Sequence, residues 1–196
     1  MTKDKLNDLN KNLRLPCAFI DLKKAFDSVY TNALWYKLFK MGLDGKILVM
    51  FKVMYEVVKS CVKRCNSFSE IFNISIGLRQ GQNNSPAMFA LFLEDLELFL
   101  QDRVNCGLSF GDICVILLCF ADDMVIIGNS TEDLQISLDN LCQYCNKWGL
   151  EVNTAKTKIV VFRKRGHTHR DEKWFYNNSS LEVVDNFNYL GVTLRD

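Results

Sequence analysis

Two apolar runs rich in β-branched residues, at 113–119 and 124–128, are separated by Phe120, Ala121, Asp122 and Asp123. Each run has the length and composition of a buried strand, and the joint between them reads as a hairpin whose tip carries acid. Two adjacent carboxylates between core strands are costly unless the tip is wet or a cation neutralises it. A solvated turn and a metal site both satisfy that condition. Upstream, 17–20 reads as a short buried strand that ends in Asp21. The spacing predicts a helix over 32–41, closed by Gly42. It predicts another from Asp44 to about residue 59, with Ile47, Met50, Phe51, Met54 and Val57 or Val58 on its buried face. Residues 61–76 suit two strands joined near Asn66 and Ser67.

A polar loop over 77–84 leads to Ser85 as N-cap and Pro86 at the first helical position of a helix reaching about residue 103. Ser130 and Asp133 form a capping-box pattern ahead of an amphipathic stripe of Leu134, Leu138, Leu141, Cys145 and Trp148, which Gly149 ends. Short extended segments follow at 150–153 and 158–162. A hairpin is expected around Asn177 and Asn178, and the sequence closes on a β-rich stretch over 187–194. Strand, helices, hairpin, helix and strands in that order indicate an α+β layer. A mainly antiparallel sheet carries helices packed on one face, so the acids ending two neighbouring strands meet at one edge.

Composition narrows the class. The chain has 196 residues, is 48% hydrophobic and carries a net charge of +1. It holds two prolines and ten glycines, which excludes a linker-rich or disordered chain. No apolar run reaches the length of a membrane span and the start is polar, so no membrane partner is expected. The eight cysteines are expected as reduced, small core residues of an intracellular protein, in cytoplasm or nucleus. Cys142 with Cys145 and Cys61 with Cys65 lack further ligands at zinc spacing. Lys156, Lys158, Arg163, Lys164, Arg165, Arg170 and Lys173 cluster late in the chain and suit phosphate contacts. His167 and His169 receive no role.

Five stretches, in order, carry a resemblance. Phe19-Ile20-Asp21-Leu22-Lys23-Lys24-Ala25-Phe26-Asp27 resembles the first palm motif of reverse transcriptases. Gly77-Leu78-Arg79-Gln80-Gly81 with Ser85-Pro86 resembles the second, and Phe120-Ala121-Asp122-Asp123 the catalytic third. Gly149-Leu150-Glu151-Val152-Asn153, followed by Lys156-Thr157-Lys158, is similar to the fourth. Tyr189-Leu190-Gly191 resembles the fifth, the primer grip. The flavour is that of non-LTR (LINE-type) retrotransposons.

The resemblance implies an RNA-directed DNA polymerase palm with a ferredoxin- or RRM-like core. It implies two Mg²⁺ ions, with Mn²⁺ as a substitute, and an RNA template, a DNA primer and dNTPs as partners. Phosphoryl transfer needs an acidified 3′-hydroxyl and neutralised pyrophosphate, which two ions about 4 Å apart supply. Asp21 and Asp122 are implied as metal ligands, with the Ile20 carbonyl serving the second ion. Asp123 joins the catalytic set in a supporting role, because adjacent strand residues face opposite ways. Leu22, Lys23, Lys24 and Ala25 line the incoming triphosphate with backbone N–H groups. Phe26 lies against the sugar and favours dNTPs; read without the family, it is a core Phe. Gln80 and Gly81 pack on nucleotide and template. Lys156 supplies a proton or positive charge to the leaving pyrophosphate. Tyr189, Leu190 and Gly191 hold the primer.

The sequence departs from the family at Gln82-Asn83-Asn84, where Cys-Pro-Leu is usual. Residues 1–16 form a polar lead-in, 17–165 the palm, and 166–196 a basic loop with the primer-grip-like β segment. The resemblance leads one to expect no fingers strands ahead of residue 17 and no thumb helices or endonuclease within this sequence. The expectation is a truncated fragment of a retrotransposon polyprotein, weak or inactive alone because positioning dominates phosphoryl transfer. The competing reading is a catalytically inactive nucleic-acid-binding remnant.

Overall fold

The computed structural model describes residues 14–56, 59–73, 76–79, 83–101, 108–110, 113–163 and 172–195. Strand β1 (Arg14–Ile20) leads through a short helix α1 (Ala25–Ser28) to α2 (Thr31–Lys40) and α3 (Gly45–Glu56). Four two-residue strands follow: β2 (Lys59–Ser60), β3 (Lys63–Arg64), β4 (Ser67–Phe68) and β5 (Phe72–Asn73). Then come α4 (Ser85–Leu93), α5 (Leu96–Gln101), β6 (Leu108–Phe110), β7 (Ile113–Val115), β8 (Leu117–Phe120) and β9 (Asp123–Ile127). Helix α6 (Thr131–Trp148) precedes β10 (Lys158–Arg163), β11 (Trp174–Tyr176), β12 (Ser179–Val183), β13 (Asn186–Tyr189) and β14 (Val192–Arg195).

The main sheet has six strands in the order β11-β12-β10-β1-β9-β8. Only the β10–β12 pairing is parallel; the others are antiparallel. Strand β1 is central and pairs with both β9 and β10, with Ile20 opposite Met124 and Phe19 opposite Lys158. Alternation along these strands feeds two cores. Ala18, Ile20, Met124, Ile126, Ile159 and Val161 pack under the helices. Cys17, Phe19, Val125, Ile127 and Val160 pack on the other face, against Phe187, Tyr189 and Leu194 of the β13–β14 hairpin. Both faces of the central strands are covered, which is why their sequences read as unbroken apolar runs. Truncating one of these fully buried side chains to Ala costs about 2–5 kcal/mol.

Helix α6 follows its sequence signals closely. The Ser130 hydroxyl accepts from the Asp133 N–H at 3.0 Å, and Gly149 ends the helix in the left-handed region at φ 72°. At its start, a Cβ on Gly128 would fall 2.7 Å from the Leu134 Cβ, so only glycine lets α6 seat against the end of β9. Helix α3 departs from expectation. Ile47, Met50 and Met54 are exposed, while Leu48 and Tyr55 are buried and Phe51 packs against the core. The helix is apolar on nearly every side, so periodicity alone selects no face.

The helix expected from Pro86 to about residue 103 is two helices, broken at Glu94 and Asp95. Ser85 is already helical, and its hydroxyl donates to the Arg79 carbonyl at 2.6 Å instead of capping. The run over 113–119 is likewise split. Residues 113–115 pair with β6, and β8 is the sheet edge, leaving Leu118 and Phe120 exposed. The cysteines are not uniformly core residues: Cys17 and Cys145 are buried, Cys61, Cys65 and Cys119 are exposed, and Cys114 is disulfide-bonded. Among the described residues, no helix is long and apolar enough to cross a membrane.

Candidate active site

The acidic hairpin is a two-residue turn. Phe120 pairs with Asp123, which leaves Ala121 and Asp122 at the tip. Ala121 has φ 55°, the first-position positive φ of a type II′ turn, which suits strand twist but strains a side chain bearing a Cβ. The tip sits beside the end of β1, because β9 pairs with β1 and sets Met124 opposite Ile20. Asp21 and Asp122 therefore line one cavity of about 590 Å³, together with Lys23, Lys24, Asp27 and Lys156.

Alternation sends Asp123 the other way. It lines a separate cavity of about 360 Å³ with Phe19, Ile20, Phe187 and Tyr189, and Asp21 and Lys156 border both. The three carboxylates still sense each other: burial first, then the charges of Asp122 and Asp21, push the Asp123 carboxyl above its ordinary value. Among the described residues, no three His, Cys, Asp or Glu side chains gather closely enough to hold an ion by themselves.

The segment after α6 holds this site together. The Asp21 carbonyl accepts from the Asn153 N–H at 2.8 Å, and the Asp21 N–H donates to the Thr157 hydroxyl at 3.2 Å. The Lys156 ammonium lies 3.8 Å from the Asp21 carboxylate, largely in solvent. Lys23 donates its backbone N–H to the Glu151 carbonyl at 2.7 Å and pairs with the Glu151 carboxylate at 2.5 Å. That N–H is committed to Glu151, whereas the resemblance implied that it would face the incoming triphosphate. Leu22, buried, bridges to Val152, and Lys24 sits at φ 47°, which turns the chain into α1. Ala25 is buried at the start of that helix.

Phe26 is half-buried and packs against Phe89, ring centroids 5.0 Å apart, on the side of α4. Asp27 is exposed at the rim of the larger cavity. Gln80 and Gly81 lie outside the described residues. Tyr189 approaches the hairpin from the far side, its hydroxyl donating to the Asp123 carbonyl at 3.5 Å. Leu190 and Gly191 form the turn after it, both at positive φ.

Among the described residues, the late basic cluster does not form one surface. Lys158 pairs with Glu182 at 2.6 Å, and Arg163 is almost fully buried beside Glu172, which Arg14 also contacts. Lys164, Arg165 and Arg170 lie outside the described residues. Two groups escape sequence reasoning. Thr157, fully buried, falls within the stretch similar to the fourth motif, but the sequence assigns it no role there. Lys37, on a helix stripe, reads as an exposed lysine yet is buried.

Comparison with known proteins agrees with this geometry. The chain matches the family described as Reverse transcriptase (RNA-dependent DNA polymerase) over residues 2–194. It is 28% identical over 196 residues to the RNA-directed DNA polymerase from mobile element jockey of Drosophila funebris. That match takes in 96% of this chain and 20% of the relative. It is also 28% identical over 182 residues to the Pol polyprotein of the type-2 retrotransposable element R2DM of Drosophila melanogaster, across 89% of this chain and 17% of that one. The chain thus spans about a fifth of the length of these curated relatives. Among solved structures, a telomerase from Candida tropicalis in complex with a fragment of telomeric RNA superposes with a TM-score of 0.65 at 17% identity. It covers 98% of this chain and 30% of the telomerase.

An antiparallel sheet with helices on one face and an acidic hairpin at its edge defines a polymerase palm. This chain belongs to the reverse transcriptase family, and the two relatives named above come from a mobile element and a retrotransposable element.

Proposed function

We propose that this chain is the palm of a retrotransposon reverse transcriptase, where a dNTP is joined to a primer 3′-hydroxyl on an RNA template. The observation that carries the reading is the convergence of Asp21 and Asp122 on one cavity rimmed by Lys23, Lys24 and Lys156. Hard carboxylate oxygens suit Mg²⁺, which keeps several waters and needs few protein ligands. The charges of Asp122 and Asp21 add to burial in raising the neighbouring Asp123 carboxyl, and negative charge gathered at the hairpin is what a divalent cation relieves. Asp21 and Asp122 are the residues that would hold the ions. When bound, Mg²⁺ supplies Lewis acidity toward the attacking and leaving oxygens.

The chain's own residues do the rest. Lys24 and Lys156 at the rim attract and orient a triphosphate, while Lys23 is held by Glu151. Lys156, exposed beside Asp21, places a proton and a positive charge within reach of the departing pyrophosphate. Thr157 and Asn153 fix the Asp21 backbone, so that its carboxylate is held before substrate arrives. Tyr189 braces the hairpin from the primer side.

The test is extension of oligo(dT) on poly(rA) by the chain in Mg²⁺, alone and, where a longer reading frame contains it, within that polyprotein. We expect Mg²⁺-dependent extension that falls at least 10³-fold in Asp122→Ala, and an Mg²⁺-induced rise in melting temperature that Asp21→Asn and Asp122→Asn abolish. Extension by Asp122→Ala at the wild-type rate overturns the catalytic assignment. RNA binding indifferent to Mg²⁺ and to both substitutions, with no extension in either setting, indicates a nucleic-acid-binding remnant instead.

A further inference from the structure

The helix layer carries a second constellation that the carboxylate site does not use. Lys37 on α2 is 3% exposed. Its ammonium donates to the Phe92 carbonyl (2.6 Å), the Asp95 carboxylate (2.5 Å) and the Tyr144 hydroxyl (2.6 Å). It also lies 4.0 Å from the centre of the Trp148 ring. Above this network opens a cavity of about 380 Å³, lined by Tyr36, Lys37, Lys40, Met41, Asp95, Lys147 and Trp148. The Tyr36 and Trp148 rings are 6.4 Å apart and inclined by 36°. Lys40 lies 5.8 Å from the Tyr36 ring and Lys147 lies 5.0 Å from the Trp148 ring.

Three features suit this cavity to a ligand that is both aromatic and anionic. Tyr36, in the middle of α2, is 54% exposed and turns an aromatic face to the cavity, while its neighbour Trp35 is buried. The one carboxylate in the lining, Asp95, is already held by Lys37 and by the Tyr144 hydroxyl at 2.6 Å. It therefore leaves Lys40 and Lys147 without a counter-charge in the cavity. Finally, Lys147 acts on Lys37 as a like charge, so an anion in the cavity relieves a repulsion already built into it.

We propose that this cavity is a second nucleic-acid subsite, which takes one unpaired nucleotide of a single strand. The base stacks on the Tyr36 and Trp148 rings, and the flanking phosphates meet Lys40 and Lys147. Aromatic faces beside ammonium groups are the chemistry of sequence-tolerant single-strand binding, at about 1–3 kcal/mol per stacked base. The volume suits one nucleotide and not a duplex. An acidic peptide would satisfy the lysines and leave the rings empty. The position is also apt: Trp148 lines this cavity, while Gly149 and Glu151, directly after it, line the carboxylate cavity. The two sites flank the C-terminus of α6, so a strand leaving one passes the other. The subsite stands on its own residues and does not require the palm to be active.

The experiment is a fluorescence titration with a 12-nucleotide oligo(U) in EDTA. Of the three tryptophans, Trp35 and Trp174 are 9% and 0% exposed, and Trp148 is the half-buried one that lines the cavity. We expect quenching that disappears in Trp148→Phe, which keeps a ring over Lys37. We expect affinity reduced at least tenfold in Lys40→Glu/Lys147→Glu, with the salt slope lowered by about 1.4, and binding retained in Asp122→Asn. Tyr36→Ala, at an exposed position, serves as the variant that leaves the melting curve intact. Affinity of the double variant within twofold of wild type overturns the proposal, as does quenching that survives Trp148→Phe. Equal quenching by a poly-Glu peptide overturns it too and reassigns the cavity to an acidic protein partner.

Discussion

The backbone N–H of Asp21 donates to the hydroxyl of Thr157 at 3.2 Å, across 136 positions of sequence. Thr157 is fully buried, so this hydroxyl has no water to fall back on. It ties the carboxylate-bearing end of β1 to the loop that carries Lys156. Thr157→Val keeps the shape and removes the acceptor, leaving a partly buried N–H unpaired. We expect a stability loss of about 1–2 kcal/mol, and primer extension lowered about tenfold, mostly in kcat, because Asp21 is displaced while nucleotide contacts remain. Thr157→Ser restores both. Thermal melts and steady-state extension with varied dTTP check this.

Asp123 gives a prediction with a defined sign. Burial and the charges of Asp122 and Asp21 raise its carboxyl in the folded state. A raised folded value means that the folded protein holds this proton more tightly than the unfolded chain. The stabilisation is fully present below the unfolded value, near pH 4, and is lost as pH rises through the folded one. At neutral pH the charged Asp123 is therefore a net cost. Asp123→Asn should melt higher than wild type at pH 7. The gain is below about 1 kcal/mol because the group is exposed. The gap should close as the pH falls below 4 and shrink in Mg²⁺.

The parts of this molecule that were legible in its sequence share a cause. Ser130, Gly149, Asn177 and Asn178 act locally, through caps and positive-φ turns, and each sits where its chemistry predicts. The β1, β9 and β10 strands were legible because both their faces are covered. What failed depends on distant partners. The buried face of α3 is chosen by the helices beside it, not by its own pattern. Arg163 looked like a surface cation until Glu172 was brought beside it. The carboxylate pair was visible in Asp21 and Asp122, whereas their supports, Thr157 and the Lys23–Glu151 pair, emerge only when residues far apart in sequence are folded together.

Ala121 holds the tip of the acidic hairpin at φ 55°. A left-handed non-glycine residue costs on the order of 1 kcal/mol. Ala121→Gly removes that strain but loosens the unfolded chain, so the net effect on stability should be a gain of at most about 1 kcal/mol. The functional effect should run the other way. A glycine frees the turn that aims Asp122, and extension should fall several-fold while the melting temperature holds or rises. A parallel loss of both would show that the turn is not strained.

Lys37 offers the sharpest pH dependence. Burial is the main cause that lowers its ammonium to about 8, while Asp95 opposes the shift. Between pH 8 and about 10.5 the unfolded chain holds this proton and the folded protein sheds it, so the Lys37 contribution to stability rises with pH across that window. Burial moves the Cys17 thiol the opposite way, up to about 12, so the raw stability curve mixes two trends. The comparison that isolates Lys37 is wild type against Lys37→Met. At pH 7 the methionine loses three hydrogen bonds and leaves the Tyr144 hydroxyl and the Phe92 carbonyl without their ammonium donor, which should cost about 2–4 kcal/mol. From pH 8 to 10 the wild type should gain a further 1–3 kcal/mol, roughly, on the variant. Urea melts of both proteins at pH 7, 8, 9 and 10 measure the difference directly. A gap that stays constant or narrows with rising pH would show that the ammonium is not penalised by burial among Phe92, Tyr144 and Trp148.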